Sequence, residues 1–507
     1  MPLIDYQRQG GGQLVRMVSV DLGANSGRVA VGRFDGKRLS LTELKRFPNI
    51  PVQVHGRLHW DALRLYDGIL EGLRLAARDD GGPIASVAVD GWGVDFALLD
   101  KAGRLLGNPV HYRDRRTDKA FQEVCAQVPP RELFQATGNQ LLPINTVHQL
   151  WAMRAARDPA LEMASTLLMM PDLFHFWLSG VAAQEWTEAT TSQCYDLARG
   201  DWAWGVLDRL GLPKQLFGDV VPSGTVLGVV RPEVADATGM SGASVIAGAS
   251  HDTASAIAAV PFTAPGAFYV SSGTWSVMGT EVAAPVVDEH CFAANLTNEG
   301  GPHGSYQLMS NLTGLWLLQE CERAWSLSGH SLALPELLAL VEAAAPMRSL
   351  VDPNAAAFVA PGDMPARLAA SCRTSGQDVP NTPGELVRCI LESLALAYRQ
   401  TAELIARVSG RSPEAVHIVG GGSLNALLCQ WTADATGLPV WAGPSEASEL
   451  GSLLVQAMAL GELASADDAR AVVRESFPPV LYEPGGRQRW DDASERFKKL
   501  SAAGALE

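Results

Sequence analysis

The sequence has 507 residues, 47% of them hydrophobic and 19% charged, which is enough apolar material for two domains of ordinary globular size. Its formal net charge of −15 disfavours nucleic acid and anionic membranes as partners, because an acidic surface repels phosphate groups. The seven cysteines form no C-x-x-C pair, which argues against a zinc ribbon, an iron–sulfur cluster or a dense disulfide framework and favours a reducing compartment.

The first predicted elements follow a lead-in without regular pattern. Because the sequence shows no basic-then-apolar leader and no apolar run of about 20 residues, we expect a flexible segment at 1–16 and a cytoplasmic protein, either a monomer or a small homo-oligomer. Apolar runs and turn signals then predict an antiparallel meander, after which helices alternate with strands, as in layered α/β folds. These elements are strands at 17–22, 27–34 and 39–47, a helix at 61–78, a strand at 84–90 and a hairpin through 96–103.

A second strand–turn–strand unit at 267–279 resembles the opening of the chain. A duplicated domain would explain this repeat, although any two such units look alike, so both interpretations stay open. We expect domains at 17–260 and 261–507, with a hinge at 261–266, where prolines and a glycine resemble a linker. The later predicted elements are a helix at 384–409, a strand at 415–419 and a helix at 445–461.

Three turns rich in glycine or hydroxyl groups, at 21–28, 271–276 and 420–422, each follow a predicted strand. Small residues let the backbone approach an anion and aim its N–H groups at it, so each turn is a candidate for holding phosphate or a flat nucleotide group. Asp21 could hold Mg²⁺ through water, and Arg28 could neutralise a phosphate. A tight β-turn, a polar hairpin and a helix-entry loop are the structural alternatives. Three such turns in one chain together favour nucleotide binding.

Several other motifs are absent from the sequence. It contains neither G-x-x-x-x-G-K-[ST] nor G-x-G-x-x-G, which excludes a P-loop kinase and a simple dinucleotide-dependent dehydrogenase, and it contains no H-E-x-x-H. Ser250, His251 and Asp252 are adjacent, but they cannot form a hydrolytic relay within one extended strand, because neighbouring side chains point to opposite faces.

Asp252 and two polar segments are candidates for acting on a sugar. A lone carboxylate at a domain junction can take the proton of a substrate hydroxyl in phosphoryl transfer. The alternative, in which Asp252 and Thr253 cap a helix at 254–259, is compatible with that role. The segment 90–96 places an indole and polar groups between glycines, as sugar sites do. The segment 113–116 either joins this site or forms a solvated, salt-bridged loop.

The sequence resembles the FGGY carbohydrate kinases from about residue 17 to 460. The matching segments occur in the right order, which makes the whole more specific than any one of them. They are 20–28, 92–96, 170–172, 189–191, 249–256, 271–276, 294–301, 314–319 and 417–422. The resemblance implies an α/β fold of two actin-like (ribonuclease H-like) ATPase domains with the active site in the cleft between them. The first domain would bind the sugar and carry the base, and the second would bind the nucleotide.

The resemblance also implies that ATP, with Mg²⁺, phosphorylates the O1 hydroxyl of a free ketose, expected to be L-rhamnulose in L-rhamnose catabolism. L-fuculose, L-ribulose or D-xylulose as substrate, and a non-catalytic ATP-binding protein of the same fold, are the alternatives. The implied site residues are Asp252 as catalytic base; Gly93, His251, Thr253 and Asn311 as sugar contacts; Ala24, Asn25, Ser26, Gly27, Arg28, Thr274, Gln319 and Gly421 as ATP contacts; and Asp21 beside Mg²⁺. Gly91 stands where the family pattern has Thr, and Asn25 where it has Ser.

Overall fold

The chain forms two domains, each built on a mixed sheet with helices packed against it. The computed structural model describes residues 14–262, 266–330 and 332–504. The predicted lead-in ends earlier than expected, because Val15 and Arg16 already belong to the first strand, while residues 1–13 lie outside the described part. The predicted hinge also lies partly outside it, at 263–265. Among the described helices, none has the length and apolar character needed to cross a membrane.

The first domain contains the following elements. Its strands are β1 (Val15–Leu22), β2 (Ser26–Phe34), β3 (Leu39–Pro48), β4 (Val52–Val54), β5 (Arg57–His59), β6 (Ser86–Gly91), β7 (Phe96–Leu99), β8 (Thr166–Met169), β9 (Gln184–Glu185), β10 (Tyr195–Asp196), β11 (Asp201–Trp202), β12 (Val220–Val221), β13 (Thr225–Val229) and β14 (Ser244–Ala247). Its helices are α1 (Ala62–Arg78), α2 (Ala120–Gln127), α3 (Pro130–Thr137), α4 (Thr146–Ala155), α5 (Pro159–Met163), α6 (Met170–Ser179), α7 (Trp186–Ala189), α8 (Trp204–Arg209), α9 (Pro232–Thr238) and α10 (Asp252–Ala258).

The large sheet of the first domain has the order β13-β14-β6-β1-β2-β3. Strands β1, β2 and β3 are antiparallel neighbours, which confirms the predicted meander, and β6 and β14 extend the sheet in parallel with β1. Every residue of β1 from Arg16 to Leu22 is buried, since both faces of this central strand are covered. The predicted hairpin through 96–103 forms in part, because the chain turns back around 101–103, with Asp100 N bonded to Arg104 O (3.0 Å) and an antiparallel bridge between Leu99 and Leu105. The ladder partner of β7, however, is β8.

The second domain contains the remaining elements. Its strands are β15 (Phe268–Ser272), β16 (Trp275–Val282), β17 (Thr297–Gly300), β18 (Tyr306–Thr313), β19 (Val416–Val419), β20 (Val440–Ala442) and β21 (Val480–Tyr482). Its helices are α11 (Glu289–Ala293), α12 (Trp316–Leu327), α13 (Leu334–Ala343), α14 (Met364–Thr374), α15 (Pro383–Ser409), α16 (Ala426–Thr436), α17 (Ala447–Ala459), α18 (Ala466–Ser476) and α19 (Arg487–Gly504).

The large sheet of the second domain has the order β17-β18-β16-β15-β19-β20-β21. Strands β18, β16 and β15 are antiparallel, and β19 and β20 run parallel to β15. The two large sheets therefore share a core of three antiparallel and two parallel strands, which supports the interpretation of 267–279 as a repeat of the opening. The long helix α15 begins at a capping box of Thr382 and Glu385 and ends at the left-handed Gly410.

Helices α10 and α17 pack against each other between the two sheets. Helix α17 comes from the second half of the sequence, yet it also packs on the first sheet, where Gln456 accepts a hydrogen bond from Ser86 Oγ (2.7 Å) and donates one to Val18 O (3.1 Å). These hydrogen bonds anchor the C-terminal part of α17 to β1 and β6 of the first sheet. The two domains thus meet through a helix pair, and the first residues of both helices line the cavity between the domains.

Candidate active site

A cavity of about 540 Å³ lies between the two domains, where strands β1 and β6 of one sheet and β15 and β19 of the other end. Its walls come from both domains and contain all of the predicted site residues except Gly27. The predicted residues that line it are Asp21, Ala24, Asn25, Ser26, Arg28, Gly93, His251, Asp252, Thr253, Thr274, Asn311, Gln319 and Gly421. The fold therefore brings together segments that are far apart in the sequence.

One asparagine, Asn49, holds the turn between β1 and β2 in place. Asn49 donates from its backbone N to Asn25 O (3.0 Å) and from Nδ2 to Gly23 O (2.9 Å), which holds the turn against the cavity. Gly27 was expected to contact ATP, but it lies in β2. A Cβ at this position would be 2.4 Å from the ring of Phe47. A glycine is required there for packing, and the residue does not line the cavity.

Carboxylates surround the guanidinium of Arg28. Its Nη2 lies 2.6 Å from Asp21 Oδ2, and its Nη1 contacts Glu449 Oε1 (2.8 Å) and Glu446 from the start of α17. Burial raises the pKa of Glu449 to about 8; the charge of Asp21 adds to this rise and that of Arg28 opposes it. Arg28 thus ties β2 to the second half of the chain, an arrangement that the sequence analysis did not predict.

The corner of the cavity around Arg28 holds more carboxylates than its single positive charge can neutralise. Asp90 lies opposite Asp21 in the parallel β1–β6 register, and neither of its buried carboxylate oxygens has an aligned hydrogen-bond partner among the described residues. Burial raises the pKa of Asp90 well above its ordinary value, and the neighbouring charges of Asp21 and Glu449 raise it further. A cation bound beside these side chains would relieve their mutual repulsion.

This corner fits Mg²⁺ delivered with a nucleotide rather than a metal held by the protein alone. In the described parts of the chain, no group of three or more His, Cys, Asp or Glu side chains is arranged to hold a metal ion. Mg²⁺ suits such a site, because it keeps several waters and takes phosphate oxygens together with one or two carboxylates. Asp21, at the cavity wall, is the side chain placed to contribute.

The turn after β15 faces the first domain across the cavity. Thr274 Oγ1 donates to Gln319 Oε1 at 3.0 Å, which joins two of the predicted ATP contacts. Backbone hydrogen bonds from Gly273 N to Trp275 O (2.8 Å) and from Leu315 N to Gly273 O (2.9 Å) tie this turn to the start of α12. The hydroxyl and N–H groups of the turn are thereby held at the cavity edge.

The three glycines after β19 have separate roles. A Cβ on Gly420 would lie 2.9 Å from Ser272 O, and one on Gly422 would lie 2.1 Å from Ser272 Oγ, so these two glycines allow the turn to pack on β15. Gly420 also adopts a φ of 78°, which favours glycine. Gly421 has open space around it and lines the cavity. Bare backbone therefore faces the cavity at Gly421, where the sequence predicted an ATP contact.

Asp252 is the first residue of α10 and lines the cavity with 31% of its side-chain surface exposed. The prediction that Asp252 and Thr253 precede and cap this helix is wrong, because His251 occupies the N-cap position. The side chain of His251 makes no capping hydrogen bond. Burial raises the pKa of Asp252 to about 6; the neighbouring His251 opposes this rise and Asp21 adds to it. A carboxylate that is ionised near neutral pH and faces an inter-domain cavity is suited to accept a proton from a hydroxyl.

Gly93 and Asn311, two predicted sugar contacts, approach the cavity from opposite domains. The backbone of Gly93 passes so close to Thr191 that a Cβ would lie 2.8 Å from its side chain. Thr191 Oγ1 in turn accepts a hydrogen bond from Val94 N at 3.0 Å. On the other side, Asn311 donates from its backbone N and from Nδ2 to Gln140 Oε1, both at 3.2 Å. The polar side chains of this region are thus already oriented by neighbours.

Asp95 orients the aromatic part of the same region from outside the cavity. Its Oδ2 accepts hydrogen bonds from Trp60 Nε1 (2.6 Å), Trp92 Nε1 (3.1 Å) and Tyr112 N (3.1 Å). Burial raises the pKa of Asp95 to about 6, although the hydrogen bonds from Trp60 and Gln149 oppose the rise. The carboxylate therefore fixes the indole of Trp92, which lines the cavity.

Arg113 crosses from the first domain to the second. Its guanidinium carbon lies 5.3 Å from the ring centre of Trp275 and 4.8 Å from that of Trp316, and Nη1 donates to Val359 O at 2.8 Å. In the same segment, Arg116 donates to Gln149 instead. The segment 113–116 is not part of the cavity wall. The predicted salt-bridged loop is confirmed for Arg115, which is exposed and pairs with Asp118 (3.2 Å), whereas Arg113 joins the two domains beside the cavity.

Sequence reasoning missed the cavity residues whose neighbours come from distant segments. They include Gln140, Thr191, Glu299, Glu446 and Glu449. Glu299 lies within the segment 294–301 that matched the family, so a signal existed but no role was assigned. Glu446 and Glu449 lie at the start of a predicted helix, but no local pattern shows that this helix reaches the other domain.

The fold and the cavity define a class of protein: the two domains form the actin-like ATPase fold, with glycine-rich turns and a carboxylate lining the cavity at the domain junction. Family models for the FGGY family of carbohydrate kinases match here, the N-terminal domain over residues 16–259 and the C-terminal domain over residues 268–460. The chain therefore belongs to the FGGY family of carbohydrate kinases, and it is an ATP-dependent sugar kinase.

Individual relatives agree with this assignment. A rhamnulokinase from Bacteroides thetaiotaomicron is 42% identical over 480 residues, which cover 95% of this chain and 98% of that protein. Similar solved structures include a gluconate kinase from Lactobacillus acidophilus (TM-score 0.77, 16% identity, 97% of each chain) and a glycerol kinase from Plasmodium falciparum with ADP (TM-score 0.77, 12% identity, 98% of this chain and 100% of that one). At these identities the structural matches show the fold alone.

Proposed function

We propose that this kinase transfers the γ-phosphoryl group of ATP to the O1 hydroxyl of L-rhamnulose, giving L-rhamnulose 1-phosphate and ADP in L-rhamnose catabolism. The observation that carries the substrate assignment is the 42% identity with the Bacteroides thetaiotaomicron rhamnulokinase over nearly the whole chain. The position of Asp252 in the inter-domain cavity supports the reaction type. The cytoplasm stays the expected location.

Asp252 is the proposed general base. Its carboxylate takes the O1 proton while O1 bonds to the γ-phosphorus, and the bond between that phosphorus and the bridging oxygen of ADP breaks. With a pKa of about 6, most of the carboxylate is ionised at neutral pH. General-base assistance of this kind contributes about 10²–10⁴-fold in rate. Gly93, His251, Thr253 and Asn311 are the proposed sugar contacts around it.

ATP is proposed to bind between the turns of the two domains. Its proposed contacts are Ala24, Asn25, Ser26, Thr274, Gln319 and Gly421, with Arg28 beside the phosphates and Gly27 supporting the turn through its packing. Asp21 is the residue that would hold Mg²⁺, which would supply positive charge to offset the charge of the phosphates. Closure of the two domains over sugar and nucleotide would keep water away from the γ-phosphoryl group, which would otherwise be hydrolysed.

A coupled assay of ADP release tests the substrate. The panel contains L-rhamnulose, L-fuculose, L-ribulose and D-xylulose, and we expect the highest kcat/KM with L-rhamnulose, because a site that hydrogen-bonds one hydroxyl rejects sugars that lack it in that position. A higher kcat/KM with another ketose overturns the substrate assignment and leaves the reaction type intact. Tight ATP binding without turnover of any sugar would overturn the reaction itself.

A further inference from the structure

His251 lies between two carboxylates that come from different domains. Its Nε2 is 3.6 Å from Asp252 Oδ1 on the same helix start, and its Nδ1 is 3.3 Å from Glu299 Oε2 on β17. The imidazole is mostly buried, with 12% of its side chain exposed, and Glu299 is buried with 7% exposed. One face of the imidazole lines the cavity. This three-residue chain leads from the second domain to the proposed base.

The backbone of His251 is fixed to the first domain. Its N donates to Thr187 Oγ1 at 3.0 Å, and Ser250 O accepts from Gly91 N at 2.9 Å, so the residue continues the edge of β6. Only the side chain is then free to turn. Within the described residues, Nδ1 of His251 has no aligned hydrogen-bond partner, so the nearby Glu299 carboxylate is the group placed to select the ring's orientation.

Glu299 is held in place by both of its neighbours in the chain. Asn298 N donates to Gly138 O (2.8 Å) and Gly300 N donates to Thr190 Oγ1 (2.8 Å), and both acceptors belong to the first domain. A Cβ on Gly300 would lie 2.9 Å from the indole of Trp186, so this strand is pressed against the first domain. The second domain therefore places Glu299 beside His251, and these backbone contacts restrict the movement of its strand.

We propose that Glu299 is a positioning residue that acts through His251: from the second domain it holds the imidazole so that Nε2 faces Asp252 and the sugar. This role rests on the proposed function of Asp252 as base and deepens it. Glu299 does not touch the reacting atoms. Because a charged acceptor holds a ring nitrogen more firmly than a neutral one, loss of its charge releases the ring and weakens the imidazolium beside Asp252.

The charges around the imidazole agree with this role. Burial disfavours the charged ring, but Glu299, Asp252 and Glu185 together outweigh burial and raise the pKa of His251 above its ordinary value. From the other elements, Asp21 and Asp90 face Asp252, and Glu188 faces both Asp252 and Glu299. His251 is thus the group among these carboxylates that can carry a positive charge, and that charge favours the ionised form of Asp252.

The test compares Glu299→Gln with wild type, using whichever ketose the wild type phosphorylates, so that a wrong substrate assignment does not affect it. We expect kcat to fall on the order of 10- to 100-fold, with the KM for ATP little changed, since the group facing Nδ1 of His251 loses its negative charge. The acid limb of the pH profile moves to higher pH. Glu299→Asp restores part of the activity, and Glu336→Gln, which changes an exposed acid on α13, leaves activity unchanged.

A double-mutant cycle with His251→Asn separates positioning from a structural role. If Glu299 acts through His251, the Glu299 substitution has little further effect on kcat in the His251→Asn background. Fully additive effects, or a wild-type kcat and pH profile in Glu299→Gln, overturn the proposal. If Glu299→Gln does not fold, the same cycle with Glu299→Asp gives the decision. Absence of any base function would appear separately, as unchanged turnover in Asp252→Asn.

Discussion

A Cβ on Gly451 of α17 would lie 1.7 Å from the carbonyl oxygen of Ser255 in α10. The two helices that join the domains therefore touch backbone to backbone at the midpoint of their contact. Since α10 begins with Asp252 and α17 begins beside Glu449, this contact sets the distance between the proposed base and the carboxylates around Arg28. The distance between these active-site carboxylates thus depends on the absence of a side chain at Gly451.

Gly451→Ala should destabilise the protein by about 1–3 kcal/mol or more, because a backbone oxygen cannot move aside as a side chain can. Denaturant unfolding followed by circular dichroism measures this loss, and kcat should fall together with stability. Gly205→Ala is the matched control, since Gly205 lies in α8 with nothing within 4 Å of its added Cβ. Equal stability of the two variants would show that the helices separate easily.

Gly93→Ala should raise the KM for the sugar about tenfold and leave the KM for ATP unchanged, since overpacking by one methyl group costs about 1–3 kcal/mol. The added Cβ would push Thr191, which holds Val94 N, out of its place in the sugar region. Steady-state kinetics with each substrate varied in turn measure the effect. Gly107→Ala serves as control, because its Cβ meets nothing within 4 Å. A normal sugar KM in Gly93→Ala would remove Gly93 from the site.

Arg113→Ala should weaken the contact between the domains. Loss of the cation–π contacts with Trp275 and Trp316 is worth about 0.5–2 kcal/mol, so we expect KM values for both substrates to rise about 2- to 30-fold. Arg113→Lys should recover only part of this, because the ammonium lacks the planar stacking of the guanidinium. The control is Arg115→Ala, since 92% of its side chain is exposed. Small-angle scattering that shows identical compaction on adding sugar and nucleotide to wild type and Arg113→Ala would contradict a role in closure.

The sugar kcat/KM should fall as the pH drops through about 6, where the pKa of Asp252 lies. The pKa is raised, so the carboxyl keeps its proton up to a higher pH than an ordinary aspartate, and a protonated carboxyl cannot accept the O1 proton. His251→Asn should move this limb to higher pH, because His251 opposes the rise. A profile that stays flat down to about pH 4, the range of an ordinary aspartate, would contradict the assignment.

The parts of the site that the sequence predicted are those encoded by short local patterns. The turns after β1, β15 and β19 all follow apolar strands. Strands β15 and β19 are parallel neighbours, so the turns after them lie at the same edge of the second sheet, and the turn after β1 faces them from the first sheet. Asp252 stands out as a carboxylate at the domain junction. Gly27 shows the limit of this reasoning, because a glycine pattern does not tell which side of the strand is crowded, and here the ring of Phe47 requires it.

The remaining site residues depend on packing between distant segments. Glu449 reaches Arg28 only because α17 packs on the first sheet, and Glu299 reaches His251 only because β17 docks on the first domain. Glu449 has no local pattern that differs from an ordinary surface acid, and the family match over 294–301 assigned Glu299 no role. The pairing of β7 with β8 was missed for the same reason, since the nearer turn at 101–103 suggested a hairpin.

The central claim, that Asp252 is the base of a sugar kinase, is tested most directly by Asp252→Asn. We expect kcat to fall by about 10²–10⁴-fold, because the amide cannot take the O1 proton, while ATP·Mg²⁺ binds with nearly unchanged affinity in calorimetry. Turnover at the wild-type rate in a folded Asp252→Asn variant would contradict the claim.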